Sequence, residues 1–326
     1  MKIAITGASG HVGANLVREL LPEGHQIKVL FYNDDRAFTG LDVIRIKGDL
    51  LNPDSVNELI RDNEIVMHLA AQISISGDRD GKVFRINTEG TRNVCEACLL
   101  AGVKRLVHFS SIHAFNAKPF DGILDESRQM VDEKAFRYDF SKATGQHIVM
   151  EYVHRGLDTV ILNPTAVIGP FDFKPSLLGQ VMIKLYNRQL PALVRGGYDF
   201  VDVRDVAHAA IQAINKGRSG EKYILSGTWK NIDEIARMTE RITGKKAPAF
   251  TVPNWLAMAG LPFLNAFASV NRSQPLYTRE SLDVLINAHR NISNEKAKKE
   301  LDFNPRPLER TLKDIFYWFR TNNYIS

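Results

Sequence analysis

The sequence predicts an α/β protein with a doubly wound parallel sheet (a Rossmann fold), and three observations support this fold class. Short apolar runs alternate with helical patterns over roughly the first half of the chain, which is typical of parallel strands with helices on both faces. A glycine-rich turn follows the first apolar run directly. After about Pro170 the alternation becomes irregular. We therefore expect a smaller, mostly C-terminal lobe beside the sheet.

The predicted strands are short, and helices follow the first, third, fourth and fifth of them. Ligands of such sheets bind beyond the carboxyl ends of the strands, so side chains at those ends are candidates for a site. Helices are predicted at about 12–22, 54–62, 81–101 and 138–154. Strands are predicted at Ile3–Thr6, Gln26–Phe31, Asp42–Lys47, Ile65–Leu69, Arg105–Ser110 and Thr159–Asn163.

The glycine-rich turn has the spacing of a phosphate-binding loop. Gly7, Gly10 and Gly13 lie between the first strand and the first helix. We expect Gly7 to make the tight turn, Gly10 to let a pyrophosphate approach the backbone, and Gly13 to let the helix pack on the strand. The helix N-terminus offers N–H groups to an anion. In this context the loop predicts dinucleotide binding, although such glycines also mark ordinary turns.

Length and composition are those of a globular protein with one elaborated domain or two domains. A chain of 326 residues with 44% hydrophobic and 24% charged residues can bury a sizeable core. We assign residues 1–169 to a dinucleotide-binding domain, with 200–226 returning to it. Residues 170–199 and 227–326 are assigned to a substrate-binding lobe.

Three kinds of partner are disfavoured. The net charge is +5, but the densest basic run, Lys296–Glu300, is typical of a solvated helix face rather than a nucleic-acid patch. The apolar stretch Trp255–Val270 falls short of the ~20 residues that a membrane span needs. Cys95 and Cys98 lack a second pair for zinc, so two packed helical cysteines are favoured over a metal site. We expect no metal, a small-molecule substrate and a cytoplasmic protein.

Tyr138 and Lys142 lie four residues apart, and the pair Ser110–Ser111 precedes them. Residues with this spacing share one face of a helix. An ammonium group near a phenol favours the phenolate, which predicts a pKa of Tyr138 below the usual value of about 10. Ser111 can hold a substrate oxygen while Tyr138 exchanges its proton and a dinucleotide exchanges a hydride. The pattern predicts redox chemistry at a carbon that bears oxygen, the alternative being a half-buried tyrosine beside a solvated lysine.

Eight ordered motifs give the chain a family resemblance. They are TGASGHVG at 6–13, GDL at 48–50, HLAA at 68–71, NTEGTRNV at 87–94, FSSIHAF at 109–115, YDFSK at 138–142, LNPTAVIGP at 162–170 and FVDVRDVA at 200–207. On these motifs the chain resembles an extended short-chain dehydrogenase/reductase, of the superfamily that contains NAD-dependent epimerases and dehydratases. Within it the chain is most similar to the dihydroflavonol reductase-like, hydroxysteroid dehydrogenase-like and hopanoid-associated oxidoreductases. A homodimer is also implied.

The resemblance implies roles for individual residues. Ser111, Tyr138, Lys142 and Asn87 are implied as the catalytic set, although a packing or capping amide is an equal alternative for Asn87. Ser110 is expected to turn away from the site, because neighbouring strand side chains face opposite sides. The implied cofactor-binding residues are Gly7, Ser9, Gly10, His11, Val12, Gly13, Tyr32, Arg36, Asp49, Leu50, Leu69, Ala70, Ala71, Tyr138, Lys142, Pro164 and Val167, with Thr165 also flanking the nicotinamide.

Two departures from the family pattern bear on the substrate. Nucleotide-sugar dehydratases follow their Ser or Thr with Asp-Glu, where this chain has Ile112 and His113. A lone histidine there is more often structural or a substrate contact than an acid or base. Nucleotide-sugar enzymes also place an arginine where Tyr198 precedes Asp199–Phe200, and a phenol cannot replace a guanidinium on a phosphate. Both departures favour a smaller or less anionic substrate.

The cofactor preference depends on the end of the second strand. NAD enzymes carry an acidic residue there for the ribose hydroxyls, and this chain has Phe31. Arg36 can reach a 2′-phosphate, which favours NADP over NAD, while Asp34 or Asp35 can reverse the preference. The predicted function is an NAD(P)-dependent oxidoreductase that interconverts a secondary alcohol and a ketone. The alternatives are an NAD-dependent nucleotide-sugar epimerase and a non-catalytic dinucleotide-binding protein.

Overall fold

Seven parallel strands form the central sheet of the computed structural model, which describes residues 1–75, 77–190, 192–261 and 278–326. Neighbouring strands pair in the order β10–β6–β5–β4–β1–β2–β3. The order reverses at β1, and such a switch point opens a crevice beyond the carboxyl ends of the strands. The strands are β1 (Lys2–Thr6), β2 (Gln26–Phe31), β3 (Ile44–Lys47), β4 (Ile65–His68), β5 (Arg105–Phe109), β6 (Thr159–Pro164) and β10 (Lys222–Leu225).

Helices cover both faces of this sheet, because its strands are apolar on both sides. One face packs against α1 (His11–Leu20) and α6 (Val203–Lys216), through buried residues such as Leu16 and Val206. The other face packs against α2, α3 and α4. These three helices run from Pro53 to Ile60, from Lys82 to Leu100 and from Arg137 to His154.

A second, smaller core lies in the C-terminal part of the chain. Its three-stranded sheet has the order β11–β9–β7, and β8 pairs with β12 in a short two-stranded sheet. Side chains such as Leu282 and Phe319 are buried in this core. The strands are β7 (Ala166–Ile168), β8 (Leu193–Val194), β9 (Gly197–Asp202), β11 (Thr228–Asn231) and β12 (Thr251–Val252). The remaining helices are α5 (Leu177–Tyr186), α7 (Ile232–Thr243), α8 (Arg279–Asn287), α9 (Glu295–Leu301) and α10 (Leu308–Thr321).

The predicted fold class is confirmed, and the six predicted strands agree within two residues at each end. The helix predicted at 12–22 ends at Leu20, since a 3₁₀ turn containing Pro22 follows it. Cys95 and Cys98 are packed inside α3 as predicted, and burial raises the pKa of Cys95 to about 12. The assignment of residue ranges to two domains stays a prediction.

The apolar stretch Trp255–Val270 extends beyond Leu261 and so lies mostly outside the described residues. In the part of the chain that the structure describes, no helix is long and apolar enough to cross a membrane.

Candidate active site

The backbone of the glycine loop between β1 and α1 lies too close to neighbouring backbone atoms to leave room for side chains at Gly7 and Gly13. Gly7 has φ +70°, and a Cβ there would lie 2.5 Å from the backbone nitrogen of Ala70. A Cβ on Gly13 would lie 2.4 Å from the carbonyl oxygen of Gly7. Gly10 caps α1 without a side-chain hydrogen bond, so the first N–H groups of this helix can bind an anion. The loop therefore fits the pyrophosphate of a dinucleotide.

His11 is oriented differently from the other residues of the loop. Its Nε2 lies 3.1 Å from the carbonyl oxygens of both Gly169 and Pro170, and Asn15 donates to Pro170 at 2.9 Å. These contacts fasten the first turn of α1 to the segment that leads into the smaller core. The side chain of His11 is thus engaged with the protein, while Ser9 and Val12 are partly exposed beside the glycines.

Beyond β2, the predicted 2′-phosphate contact is held in an ion pair. Arg36 donates to the carboxylate of Asp34 from Nε at 3.0 Å and from Nη2 at 2.7 Å. Arg36 lowers the pKa of Asp34, chiefly through the side-chain hydrogen bond. Tyr32 is 60% exposed. Exposed pairs of this kind contribute about 0–1 kcal/mol, so Arg36 can exchange Asp34 for another anion at small cost.

The residues implied to meet the adenine and the nicotinamide lie at the carboxyl edge of the sheet. Asp49 accepts a hydrogen bond from the N–H of Leu51 at 2.9 Å, as a turn aspartate does, and Leu50 is buried. Ala70 donates its N–H to the Thr6 hydroxyl at 3.3 Å. Leu69, Ala70 and Ala71 are partly exposed after β4, whereas Pro164 is the last residue of β6 and Val167 lies in β7.

Asn87 connects two parts of the site. It accepts from the N–H of Gln72 at 2.8 Å and donates to the Gln72 carbonyl at 3.1 Å. It also donates to the hydroxyl of Ser141 at 2.8 Å. Asn87 is 4% exposed and joins the segment after β4 to α4. Gln72 and Ser141 were not predicted, since neither has a motif that distinguishes it from other polar residues.

Ser111, Tyr138 and Lys142 meet beyond the end of β5. Ser111 is buried, hydrogen-bonds with Tyr138, and accepts the N–H of His113 at 3.2 Å. Lys142 donates from Nζ to the carbonyl oxygen of Phe109 at 2.9 Å. Ser110 instead accepts from the amide of Gln146 at 2.7 Å. The structure thus turns Ser110 and Ser111 to different partners, as predicted.

Burial dominates the ionisation of this group. It lowers the pKa of Lys142 to about 8. It raises the pKa of Tyr138, an effect that the hydrogen bond from Ser111 opposes and the charge of Asp139 increases. The predicted lowering of the Tyr138 pKa is therefore wrong for the protein by itself. Loss of water around the phenol outweighs the influence of the nearby ammonium group.

A second polar cluster lies against Tyr138. Nδ1 of His113 is 3.3 Å from Oδ1 of Asp139, and the ring centroids of His113 and Tyr138 are 6.0 Å apart. Burial tends to lower the pKa of His113, but the hydrogen bond and charge of Asp139, with the charge of Glu280, raise it overall. Burial also raises the pKa of Glu280 to about 7. Sequence analysis missed Asp139 and Glu280, although Asp139 adjoins Tyr138 in the chain.

The residues around position 198 have structural partners. Asp199 accepts from the hydroxyl of Thr165 and from the N–H of Gly227, both at 2.7 Å. Tyr198 packs edge-on against Phe200, with ring centroids 5.9 Å apart. Asp199 is therefore occupied in joining β9 to its neighbours. Across the described ranges, no group of three or more His, Cys, Asp or Glu side chains could hold a metal ion.

Comparison with known proteins gives consistent matches along the chain. The model of the family described as "NAD dependent epimerase/dehydratase family" matches residues 3–226. Sterol demethylase protein B of Methylococcus capsulatus is 34% identical, over all of both chains. A putative dihydroflavonol 4-reductase of Synechocystis is 32% identical, over 99% of this chain and 95% of that protein.

Solved structures extend this likeness to three dimensions. The crystal structure of gox2253 has a TM-score of 0.85 and 30% identity, and the match covers 100% of this chain and 99% of that one. A nucleoside-diphosphate-sugar epimerase from Pseudomonas aeruginosa has a TM-score of 0.80 at 23% identity, with the same coverage. At that identity the likeness to the epimerase concerns the fold alone.

Proposed function

The chain belongs to the NAD-dependent epimerase/dehydratase family of enzymes, and from that premise we propose that it is an NAD(P)-dependent oxidoreductase that interconverts a secondary alcohol and a ketone. The observation that supports this best is that Ser111 and Tyr138 lie close enough for Ser111 to affect the pKa of the phenol, with Lys142 on the next turn of the same helix. A phenol in this setting is a proton donor and acceptor, which a protein that only binds a dinucleotide does not need.

The proton chemistry follows from these side chains. In ketone reduction, Tyr138 gives its proton to the carbonyl oxygen while the hydroxyl of Ser111 donates a hydrogen bond to that oxygen. The glycine loop between β1 and α1 would hold a nicotinamide dinucleotide, and the chemistry that this group would supply is transfer of a hydride to or from the carbon that bears the oxygen. The charge of Lys142 stabilises the phenolate that remains, and the carbonyl of Phe109 keeps Nζ in place. In alcohol oxidation the phenolate removes the hydroxyl proton.

We propose a small apolar or alicyclic substrate. A diphosphate beside Tyr198 would lack a guanidinium partner, and an unpaired buried charge is costly. Two relatives at more than 30% identity carry the names of sterol and dihydroflavonol enzymes, and both words denote ring compounds that bear oxygen. A sugar epimerase would use the same Ser, Tyr and Lys, so the substrate side of the site has to separate the two functions.

We propose NADP as the preferred cofactor, since β2 ends in Phe31 rather than in an acidic residue. The hydrophobic ring removes the repulsion that a carboxylate would exert on a 2′-phosphate. Arg36 is the available cation, once its guanidinium group has left Asp34 and binds the 2′-phosphate instead. A homodimer is a further proposal, and light scattering of the pure protein would then give twice the chain mass of 36.7 kDa.

A substrate screen tests the proposed function. The purified protein with NADPH or NADH should reduce at least one member of a panel of decalones, 3-oxosteroids and dihydroflavonols, followed by nicotinamide absorbance. The Tyr138→Phe protein controls for non-specific oxidation of the cofactor. Tight cofactor binding without reduction of any ketone would favour the non-catalytic alternative instead.

A further inference from the structure

His113 lies beside Tyr138, and one of its ring nitrogens faces a carboxylate. It belongs to the 3₁₀ turn Ile112–Ala114, directly after Ser111. Its Nδ1 is 3.3 Å from Asp139, whose side chain is 15% exposed. The imidazole stands edge-on to the Tyr138 ring, with centroids 6.0 Å apart. Its plane and position are therefore set by two groups of α4.

The other ring nitrogen is available. Within the described residues, Nε2 of His113 has no hydrogen-bond partner, and 33% of the side chain is exposed. A carboxylate at Nδ1 fixes the orientation of an imidazole and hence the direction of Nε2, as the aspartate does for the histidine in the Ser-His-Asp triad of hydrolases. The ring separation of 6.0 Å places the imidazole beside the phenol that would exchange the proton.

Glu280 brings a second carboxyl group from the smaller core. It lies in the first turn of α8, is 8% exposed, and accepts the N–H of Gly77. The hydroxyl of Thr278 donates to the carbonyl of Ile75, which fastens the start of α8 to the same segment. The negative charges of Asp139 and Glu280 both favour the protonated imidazole. In the imidazolium that pairs with Asp139 at 3.3 Å, Nε2 of His113 is a hydrogen-bond donor.

We propose that His113 is a substrate-binding residue, whose Nε2–H donates a hydrogen bond to a second oxygen on the substrate, close to the carbonyl that Tyr138 protonates. The inference rests on the proposed function and narrows its substrate to ketones with a neighbouring oxygen function. Asp139 is then a positioning residue, because it acts through the imidazole.

The test compares 1-decalone with 2-hydroxy-1-decalone, two ketones that differ in one hydroxyl. The wild-type protein should prefer the hydroxyketone by at least about 10-fold in kcat/KM, the scale of one charged hydrogen bond. His113→Gln should remove that preference, mainly by raising KM for the hydroxyketone. Its kcat/KM for 1-decalone should stay within about two-fold of the wild-type value. His154→Gln, an exposed histidine at the end of α4, is the matched control and should retain the preference.

The outcomes separate this inference from the proposed function. Equal losses on both ketones in the His113→Gln protein, or no preference in the wild type, overturn the inference. If neither ketone is reduced, the proposed function fails for them, and calorimetric binding of the same two compounds decides the role of His113. Absence of binding, or equal affinities in the wild type, also overturns it. Should His113→Gln fail to fold, Asp139→Asn is expected to show the same selective loss.

Discussion

Lys142 and His113 are two basic side chains of the candidate site near Tyr138, and their surroundings shift their pKa values in opposite directions. Lys142 has a backbone carbonyl as its hydrogen-bond partner, and burial lowers its pKa to about 8. His113 is also buried in part, yet two carboxylates raise its pKa. The same loss of water thus has different results, depending on whether a negative charge is adjacent.

The contrast indicates a division of labour around Tyr138. A lysine close to losing its proton can respond to charge that develops on the phenol, whereas the pairing with Asp139 helps the imidazole of His113 to keep its proton. The Lys142 side therefore suits proton exchange, and the His113 side suits recognition of a neutral, polar group. The predictions below test each side, starting with the residue between them.

Tyr138→Phe should have the largest effect, because both sides serve its hydroxyl. Turnover should fall by roughly 100-fold or more, the scale of lost general acid–base catalysis, while the affinity for the cofactor stays close to that of the wild type. Steady-state kinetics and cofactor titration measure the two quantities. Turnover within a few-fold of the wild type would contradict the proposed role of Tyr138 as the general acid and base.

Lys142→Met should lower turnover by about 10- to 100-fold and also weaken cofactor binding, because the lysine is proposed to have two roles. Lys222→Met is a matched control: burial lowers the pKa of Lys222 as well, but its Nζ lies over the ring of Phe115. The control protein should keep wild-type kinetics. Equal losses in both variants would mean that removing any half-buried lysine is damaging.

Arg36 is an exposed basic residue and can be compared with the buried Lys142 and the partly buried His113. NADPH should bind more tightly than NADH, and Arg36→Ala should narrow that difference by about 1–3 kcal/mol if the guanidinium meets the 2′-phosphate. Arg45→Ala is the control, since Arg45 forms a similar exposed pair with Asp35 at 3.2 Å. Fluorescence titration of both cofactors gives the affinities, and equal or tighter binding of NADH by the wild type rejects the preference.

Glu280→Gln tests the charge on the His113 side through stability. The folded protein keeps the proton on Glu280 up to about pH 7, whereas the unfolded chain loses it near its ordinary value of 4.5. Wild-type stability should therefore fall as the pH rises through this window, and that of the variant should not. The variant should gain about 1–3 kcal/mol relative to the wild type between pH 4 and pH 8.

Urea unfolding at the two pH values measures this gain. Glu89→Gln, at an exposed position of α3, should show no such dependence. A constant difference between the Glu280→Gln and wild-type proteins at both pH values would contradict the burial argument.

The smallest expected activity is the conversion of UDP-, GDP- and dTDP-hexoses. Position 198 carries a tyrosine rather than a basic residue that could bind their diphosphate. These compounds should not be converted in the presence of cofactor, with chromatography of the products as the measurement. Arg195 and Arg290 line a shallow pocket beside β9 and are the cations that would compensate. Efficient conversion of any of the sugars would promote the epimerase alternative.

The parts of the site that were predictable from sequence are those that depend on neighbours in the chain. The turn at Gly7 and the close packing at Gly13 follow from a strand, three spaced glycines and a helix. The positions of Tyr138 and Lys142 follow from one helical turn. Ser111 was also predicted, but from the family resemblance, since it matches the catalytic Ser or Thr of the family.

The parts that were missed depend on contacts between distant segments. Glu280 reaches His113 only because α8 packs against the segment around Gly77, and no local pattern shows this. The pKa of Tyr138 was predicted in the wrong direction because spacing indicates which charge is near but not how much water is lost. The ion pair of Arg36 with Asp34 was likewise not anticipated, although both residues lie in one turn.

The two thiols of α3 have a practical consequence for spectroscopy. Cys95 and Cys98 are both free and fully buried, and burial raises the pKa of each. The thiolate of an accessible cysteine attacks maleimides and thiol-reactive nitroxide reagents, so the folded wild-type protein should give little background labelling. A single cysteine introduced at Leu100, which is 76% exposed, would then carry one probe at a known position without prior removal of the native thiols.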